Sequence, residues 1–174
     1  MATATTIPVE QYLGHAGSWE PDAEYVDGVI EERPMGEYDH NTWQQAIELW
    51  FVARKIEWNI RVRVEQRVQV SPTRFRVPDV VVWSRSTAIE QTLTIPPLAV
   101  FEVLSPEDRI SSVLQKLGDY SNMGIPTIRV VDPEQDLIYR YLSGKLELVL
   151  EPVESIPECA GILDWNAIRQ LLDD

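Results

Sequence analysis

Two stretches, Val77-Pro-Asp-Val-Val-Val-Trp83 and Pro97-Leu-Ala-Val-Phe-Glu-Val-Leu104, are apolar at almost every position, so neither has a polar face to turn to water when extended. Such strands need cover on both sides, and a sheet with helices packed on its faces supplies it. Each stretch nevertheless holds one carboxylate, Asp79 in the first and Glu102 in the second. Buried without a partner, a carboxylate costs several kcal/mol, so each requires a cation or a dense set of hydrogen bonds. Asp79 shares a face with Val81 and Trp83, and Glu102 with Val100 and Leu104; on neighbouring strands the two acids converge.

The rest of the chain reads as one α/β unit, and 174 residues can withdraw roughly 70% of their unfolded surface from water. No repeat, low-complexity tract or Gly/Ser linker interrupts it, which gives a single domain over residues 1–174 with its core at about residues 20–172. Val9 to Leu13 reads as a short helix, and Glu24 to Arg33 as a hairpin turning at Asp27-Gly28. From Tyr38 to Trp58, the residues Trp43, Ala46, Ile47, Trp50 and Ala53 recur at helical spacing, with Asp39 or Asn41 available as the cap. Ile60 to Val70 alternates as one half-exposed strand with Arg61, Arg63 and Glu65 facing outward. Asp108 to Met123 is helical, with Ile110, Val113, Leu114, Leu117 and Tyr120 on its buried stripe, and Gly124 and Pro126 stop it. Thr127 to Val131, Leu137 to Leu142 and Leu146 to Leu150 follow as strands, the last two joined over Ser143-Gly144, and Trp165 to Leu172 forms a terminal helix. The strand, helix, strand crossover from Leu98 to Val131 is expected to be parallel and right-handed.

Cys159 is the only cysteine, which excludes an internal disulfide, a CxxC pair and a cysteine-built zinc site and favours a reducing cytoplasm. Met1 to Gly14 lacks Lys, Arg and an apolar run of signal-peptide length, and no apolar stretch approaches a bilayer span, so neither secretion nor a membrane partner is expected. A net charge of −13 repels a polyanion over most of the surface. Eight cations, Arg54, Lys55, Arg61, Arg63, Arg67, Arg74, Arg76 and Arg85, are nevertheless concentrated between residues 54 and 85, which makes the middle of the chain locally basic. The glycines form no dinucleotide-binding or P-loop stretch, and Ser105 has no His/Asp set for a serine-hydrolase triad. Only His15 accompanies His40, too few for a histidine metal centre.

Hard oxygen donors on two adjacent strands, with a backbone carbonyl nearby, describe a site for Mg²⁺ or Mn²⁺ that keeps several waters. The competing reading puts one acid at a strand end, paired with Arg63 or Arg129, and needs no metal. Lys116 bears on the choice. About 40° from Tyr120 around the helix, it flanks the buried stripe and can lay its stem along the sheet, bringing its ammonium to the carboxylates. The plain alternative is an exposed helix lysine.

Pro78-Asp79, Phe101-Glu102-Val103-Leu104-Ser105-Pro106, Lys116-Leu-Gly-Asp-Tyr120, Gly124-Ile-Pro126 and Val131-Asp132-Pro133, in that order, resemble the signature of the Uma-type putative restriction endonuclease family. That family lies in the PD-(D/E)XK, restriction-endonuclease-like superfamily. Glu24-Tyr-Val-Asp-Gly28 and His40 resemble its amino-terminal pattern, and the likeness spans about residues 8 to 172. The resemblance implies an α/β, restriction-endonuclease-like fold with a central mixed sheet flanked by helices, and a metal-dependent nuclease. It implies that Asp79, Glu102 and the Val103 carbonyl hold Mg²⁺ (or Mn²⁺). Lys116 would take the role of the lysine that the plain superfamily pattern puts two residues after the acid, where this chain has Leu104. Glu24, where the family keeps an acid, would complete or adjust the site; otherwise it is a solvated hairpin glutamate. Ser112 stands where many relatives carry an acid and Arg129 where many carry tryptophan, which bears on substrate preference.

The implied chemistry is phosphodiester hydrolysis, with DNA the expected substrate and Lys116 orienting the attacking water and stabilising the transition state. His40, Arg61, Arg63, Arg74 and Arg76 are the expected nucleic-acid contacts; His40 is also placed to cap or hydrogen-bond the start of the long helix. Trp19 and Trp58 are the tryptophans freest to stack on bases, since Trp43, Trp50 and Trp83 lie on apolar patterns. Cutting two antiparallel strands is most simply done by a twofold homodimer. The contrasting expectation, favoured by the negative charge, is a catalytically inactive nuclease fold kept as a protein-interaction or regulatory scaffold.

Overall fold

The computed structural model describes residues 6–14 and 23–172, so Trp19 and His15 lie outside the described residues. In chain order, helix α1 (Val9–Gly14) and the hairpin of β1 (Glu24–Val26) and β2 (Val29–Glu31) precede the long helix α2 (Tyr38–Val52). The strands β3 (Ile60–Val64), β4 (Val68–Ser71), β5 (Arg74–Arg76), β6 (Val80–Ser84) and β7 (Ala99–Val103) lead to α3 (Ile110–Met123). After it come β8 (Thr127–Asp132), β9 (Leu137–Leu142), β10 (Lys145–Leu148), β11 (Val153–Ser155), β12 (Ile162–Asp164) and α4 (Trp165–Gln170).

Six strands form the central sheet in the order β10-β9-β8-β7-β6-β3, with β7 and β8 parallel through the α3 crossover and the other neighbours antiparallel. The two apolar stretches therefore become inner strands, as their lack of a polar face requires. Successive residues separate to the two faces. Val80, Val82, Ala99, Phe101 and Val103 pack with Trp43, Ile47 and Phe51 of α2 and Trp165 of α4. Val81, Val100 and Val130 pack on the opposite side with Val113, Leu117 and Tyr120 of α3. A smaller sheet, β2-β1-β5-β4, has its own aromatic cluster of Tyr12, Tyr25 and Phe75, and β11 pairs with β12.

Several sequence expectations are corrected. Ile60 to Val70 is not one strand: Glu65 adopts φ 54° and turns the chain out of the central sheet, and β4 joins the smaller one. Val62 consequently packs on the α2 side and Val68 on the α3 side, although an unbroken alternation would put them on one face. Helix α2 ends at Val52, not Trp58, after which turns carry Trp58 back against Trp50 and Phe51. Its N-cap is Glu37, without a side-chain cap bond; Asn41 instead donates from Nδ2 to the Gly36 carbonyl. On α3, Ile110 and Leu114 are exposed, and the buried set is Val113, Leu117, Asp119 and Tyr120. The hairpin turn stands as read, with φ of 49° at Asp27 and 96° at Gly28.

Candidate active site

The β6–β7 register sets Val80 against Phe101, so the residue before β6, Asp79, comes alongside Glu102. Both acids are buried, at 2% and 7% exposure. Asp79 is held by its backbone and its side chain. Its carbonyl accepts from Gln44 Nε2 of α2 at 3.0 Å and from the Glu65 amide at 3.2 Å. Its Oδ2 accepts from the Val103 amide at 2.7 Å and lies 3.4 Å from His40 Nε2, while Oδ1 is paired with the guanidinium of Arg33. Glu102 is held from α3: Tyr120 donates its hydroxyl to Oε1 at 2.6 Å, and Lys116 donates from Nζ to Oε2 at 3.2 Å. The spacing of Lys116, Asp119 and Tyr120 places all three on one side of the helix.

Glu24 joins this group from β1. It is 2% exposed, its Oε1 accepts from the Val77 amide at 2.9 Å, and the same oxygen lies 3.1 Å from Lys116 Nζ. Lys116 thus bridges Glu24 and Glu102 and is no free surface lysine. Behind Glu24, the fully buried Arg76 reaches Glu24 Oε2 at 2.9 Å, Glu31 at 2.9 Å and Asp119 at 2.8 Å.

The charges set one another's ionisation. Burial opposes the ionised form of Asp79, but His40, Arg33 and Lys116 outweigh it and hold its carboxyl below the usual range. Glu24 is likewise lowered, burial being overcome by Lys116 and Arg76. Glu102 goes the other way: burial, with Asp79 and Glu24 nearby, pushes it up to about 7 against the pull of Lys116 and Tyr120. Burial disfavours the Lys116 ammonium, yet Glu102 and Glu24 raise its pKa. Burial also disfavours a charged His40, and its contact with Asp79 reverses the balance, so its pKa is raised.

An open cleft of about 430 Å³ gives access to this cluster, with Glu24, Arg33, Arg76, Glu102, Val103 and Lys116 among its walls. The donor types suit a hard divalent cation: two neighbouring carboxylates, Asp79 and Glu102, with a backbone carbonyl such as that of Val103 and water completing the shell, make a set that Mg²⁺ uses. The carboxyl of Glu102, raised chiefly by burial and further by the Asp79 and Glu24 carboxylates, is one whose ionised form such a cation would favour. Among the described residues no three His, Cys, Asp or Glu side chains form a ready-made metal cage, and the open oxygen of Asp79 is taken by Arg33.

Of the residues expected from sequence, Asp79, Glu102, Lys116, Glu24, Val103 and His40 are brought together. The expected surface cations are not. Arg76 is 1% exposed and committed to Glu24, Glu31 and Asp119; Arg74 is tied to Asp27 at 2.6 Å and Asp119 at 2.7 Å. Arg61 donates to the carbonyls of Ser84 and Thr87, and Arg63 to that of Val62. Of the eight cations between 54 and 85, all within the described residues, only Arg76 lines the cleft, so this segment does not form a basic wall around the acids. Trp58 is buried and packs at an angle against the rings of Trp50 and Phe51. Neither Arg63 nor Arg129 pairs with the site acids; Arg129 binds Glu154 at 2.8 Å. Arg33, Tyr120, Gln44 and Asp119 were not singled out as site residues by sequence reasoning. Arg33 is the sole Lys or Arg in the acid-rich residues 10–39, a feature that marks it as a cation in need of a partner but does not name Asp79.

A family profile described as Uma2, putative restriction endonuclease, matches residues 9–170. The chain belongs to this family. Among solved structures, a putative nuclease from Anabaena variabilis superposes with a TM-score of 0.74 at 23% identity, covering 88% of this chain and 92% of that one. That likeness extends to the fold, and the restriction-endonuclease-like architecture expected from the Uma2 resemblance is borne out. No curated protein matches the chain.

Proposed function

We propose that this Uma2-family protein is a divalent-metal-dependent nuclease that hydrolyses phosphodiester bonds, with DNA as substrate. One observation carries the reading: Glu102 of β7, Glu24 of β1 and Lys116 of α3 meet in the wall of one cleft, where Lys116 contacts the two acids at 3.2 and 3.1 Å, and Asp79, just before β6, lies buried alongside Glu102. Asp79 and Glu102, with the Val103 carbonyl, are the groups that would hold Mg²⁺ or Mn²⁺. Such an ion supplies an activated water and neutralises charge building on the phosphoryl oxygens. The chain's own part is positioning. Val103 N–H and His40 fix the Asp79 carboxylate, and Tyr120 fixes that of Glu102. Lys116, kept protonated by two carboxylates, offers a cation to the attacking water and to the charge of the transition state. Cytoplasmic residence and a twofold homodimer belong to the same reading; among the described residues no helix is long and apolar enough to cross a membrane.

The test is plasmid nicking with and without Mg²⁺ or Mn²⁺ by wild type, Asp79→Asn and Lys116→Ala, each checked for folding by circular dichroism. Metal-dependent cleavage by wild type, reduced about a hundredfold or more in both variants, is the expected result. Equal activity in all three would refute it. The second reading, an inactive scaffold, is favoured by the cleft itself, where Glu24, Glu31, Glu32, Glu102, Glu107 and Asp108 outnumber Arg33, Arg76, Arg109 and Lys116. It predicts a wild type that neither cleaves DNA nor responds to metal.

A further inference from the structure

Of the two Asp79 oxygens, Oδ2 is committed to the Val103 amide and to His40, which leaves Oδ1 as the atom available to an incoming cation. Arg33 already holds it. The arginine does not come from a fixed element: it lies between β2 and α2, in residues 32–37, which have no regular secondary structure. Its side chain is 12% exposed, and the other terminal nitrogen, Nη1, lies 3.8 Å from Oε1 of Glu65, whose side chain is 39% exposed. Arg33 also stands between two openings. It lines the cleft that contains Glu102 and Lys116, and it lines a second cleft of about 530 Å³ shared with Ala23, Gly36, Asn41 and Glu65.

These positions create a competition. A divalent cation on Asp79 and a guanidinium on the same oxygen repel each other, and a displaced arginine needs a new anion close by. Glu65 is that anion: it is already within ion-pair distance of the same side chain and partly exposed, whereas Glu102 and Glu24, which also act on the guanidinium, are paired with Lys116. Its backbone amide donates to the Asp79 carbonyl, so the receiving carboxylate is anchored to the residue that releases the arginine.

We propose that Arg33 is a displaceable counter-ion, paired with Asp79 in the metal-free protein and transferred to Glu65 when a divalent cation takes its place. The inference rests on the metal-dependent reading above and adds to it a residue that sets metal affinity without being a ligand. Removing the arginine then leaves Asp79 open to metal, and removing Glu65 takes away the arginine's other ion-pair partner.

The experiment is calorimetric titration of Mn²⁺ into the full chain, without DNA, for wild type, Arg33→Gln, Glu65→Gln and the double variant, with the Mn²⁺-induced rise in melting temperature as a second readout. Arg33→Gln is expected to bind Mn²⁺ about tenfold more tightly than wild type and to show the larger melting shift. Glu65→Gln is expected to bind about two- to fivefold more weakly, and to have no effect once Arg33 is gone. Glu65 is surface-exposed, so its variant folds and reports even where Arg33→Gln does not. Unchanged or weaker binding in a folded Arg33→Gln, or an equal Glu65→Gln effect with and without Arg33, would overturn the displacement while leaving the metal site standing. No binding by wild type or by Arg33→Gln would overturn both.

Discussion

Glu102 is the residue at which the competing forces of the site are most evenly matched. Burial and two neighbouring carboxylates push its carboxyl up to about 7 from an ordinary 4.5, against one ammonium and one hydroxyl. A raised folded-state pKa means that the folded protein holds this proton more tightly than the unfolded chain does. Its contribution to stability is complete below about 4.5 and is lost as pH rises through about 7. Wild type without metal should therefore lose stability relative to Glu102→Gln over that window, at up to about 1.4 kcal/mol per pH unit, in denaturant unfolding at a series of pH values. Parallel curves for the two proteins would contradict it. Asp79, Glu102 and Lys116 were legible in the sequence because each is out of place: two acids in apolar strands and a lysine flanking a buried stripe. Arg33 and Gln44 were not, because each reaches Asp79 across 46 and 35 residues of chain, and nothing in a local pattern reports such a contact.

At the scale of elements, α3 does most to assemble the site, since Lys116, Asp119 and Tyr120 from a single helix engage Glu24, Glu102, Arg74 and Arg76. Its position depends on where it ends. Gly124 terminates it in the left-handed region at φ 94°, donating its N–H to the Ser121 carbonyl. A side chain there is strained, so Gly124→Ala should cost about 1–2 kcal/mol in urea unfolding; a change within error would show that the cap is dispensable. The helix and its stop signal were readable because amphipathic spacing followed by Gly and Pro is a local pattern. The break at Glu65 was not, since Ile60 to Val70 keeps a period of two across a point where the chain changes sheets. Periodicity records which residues are apolar, not which layer they face.

Over the whole molecule, the smaller sheet is fastened to α3 by charge. Arg76 on β5 joins Glu24 on β1, Glu31 on β2 and Asp119 on α3, and Arg74 joins Asp27 to Asp119. Replacing Arg76 by Met would leave Glu24 and Asp119 buried without this partner, which should cost about 3–5 kcal/mol by thermal or chemical unfolding. A loss under about 1 kcal/mol would mean that the hydrocarbon contacts of the two sheets suffice. The local basicity of residues 54–85 is the feature that sequence reading misjudged, because the count of cations says nothing about which carboxylates and carbonyls consume them. The mixed sheet and the meeting of the site acids were legible because burial on both faces leaves few architectures open. The most direct measurement of the central claim is the number of Mn²⁺ ions bound by the folded chain in the absence of DNA. Saturable binding by wild type, abolished in both Asp79→Asn and Glu102→Gln, is the predicted result; a wild type that binds none, or variants that bind as wild type does, would contradict it.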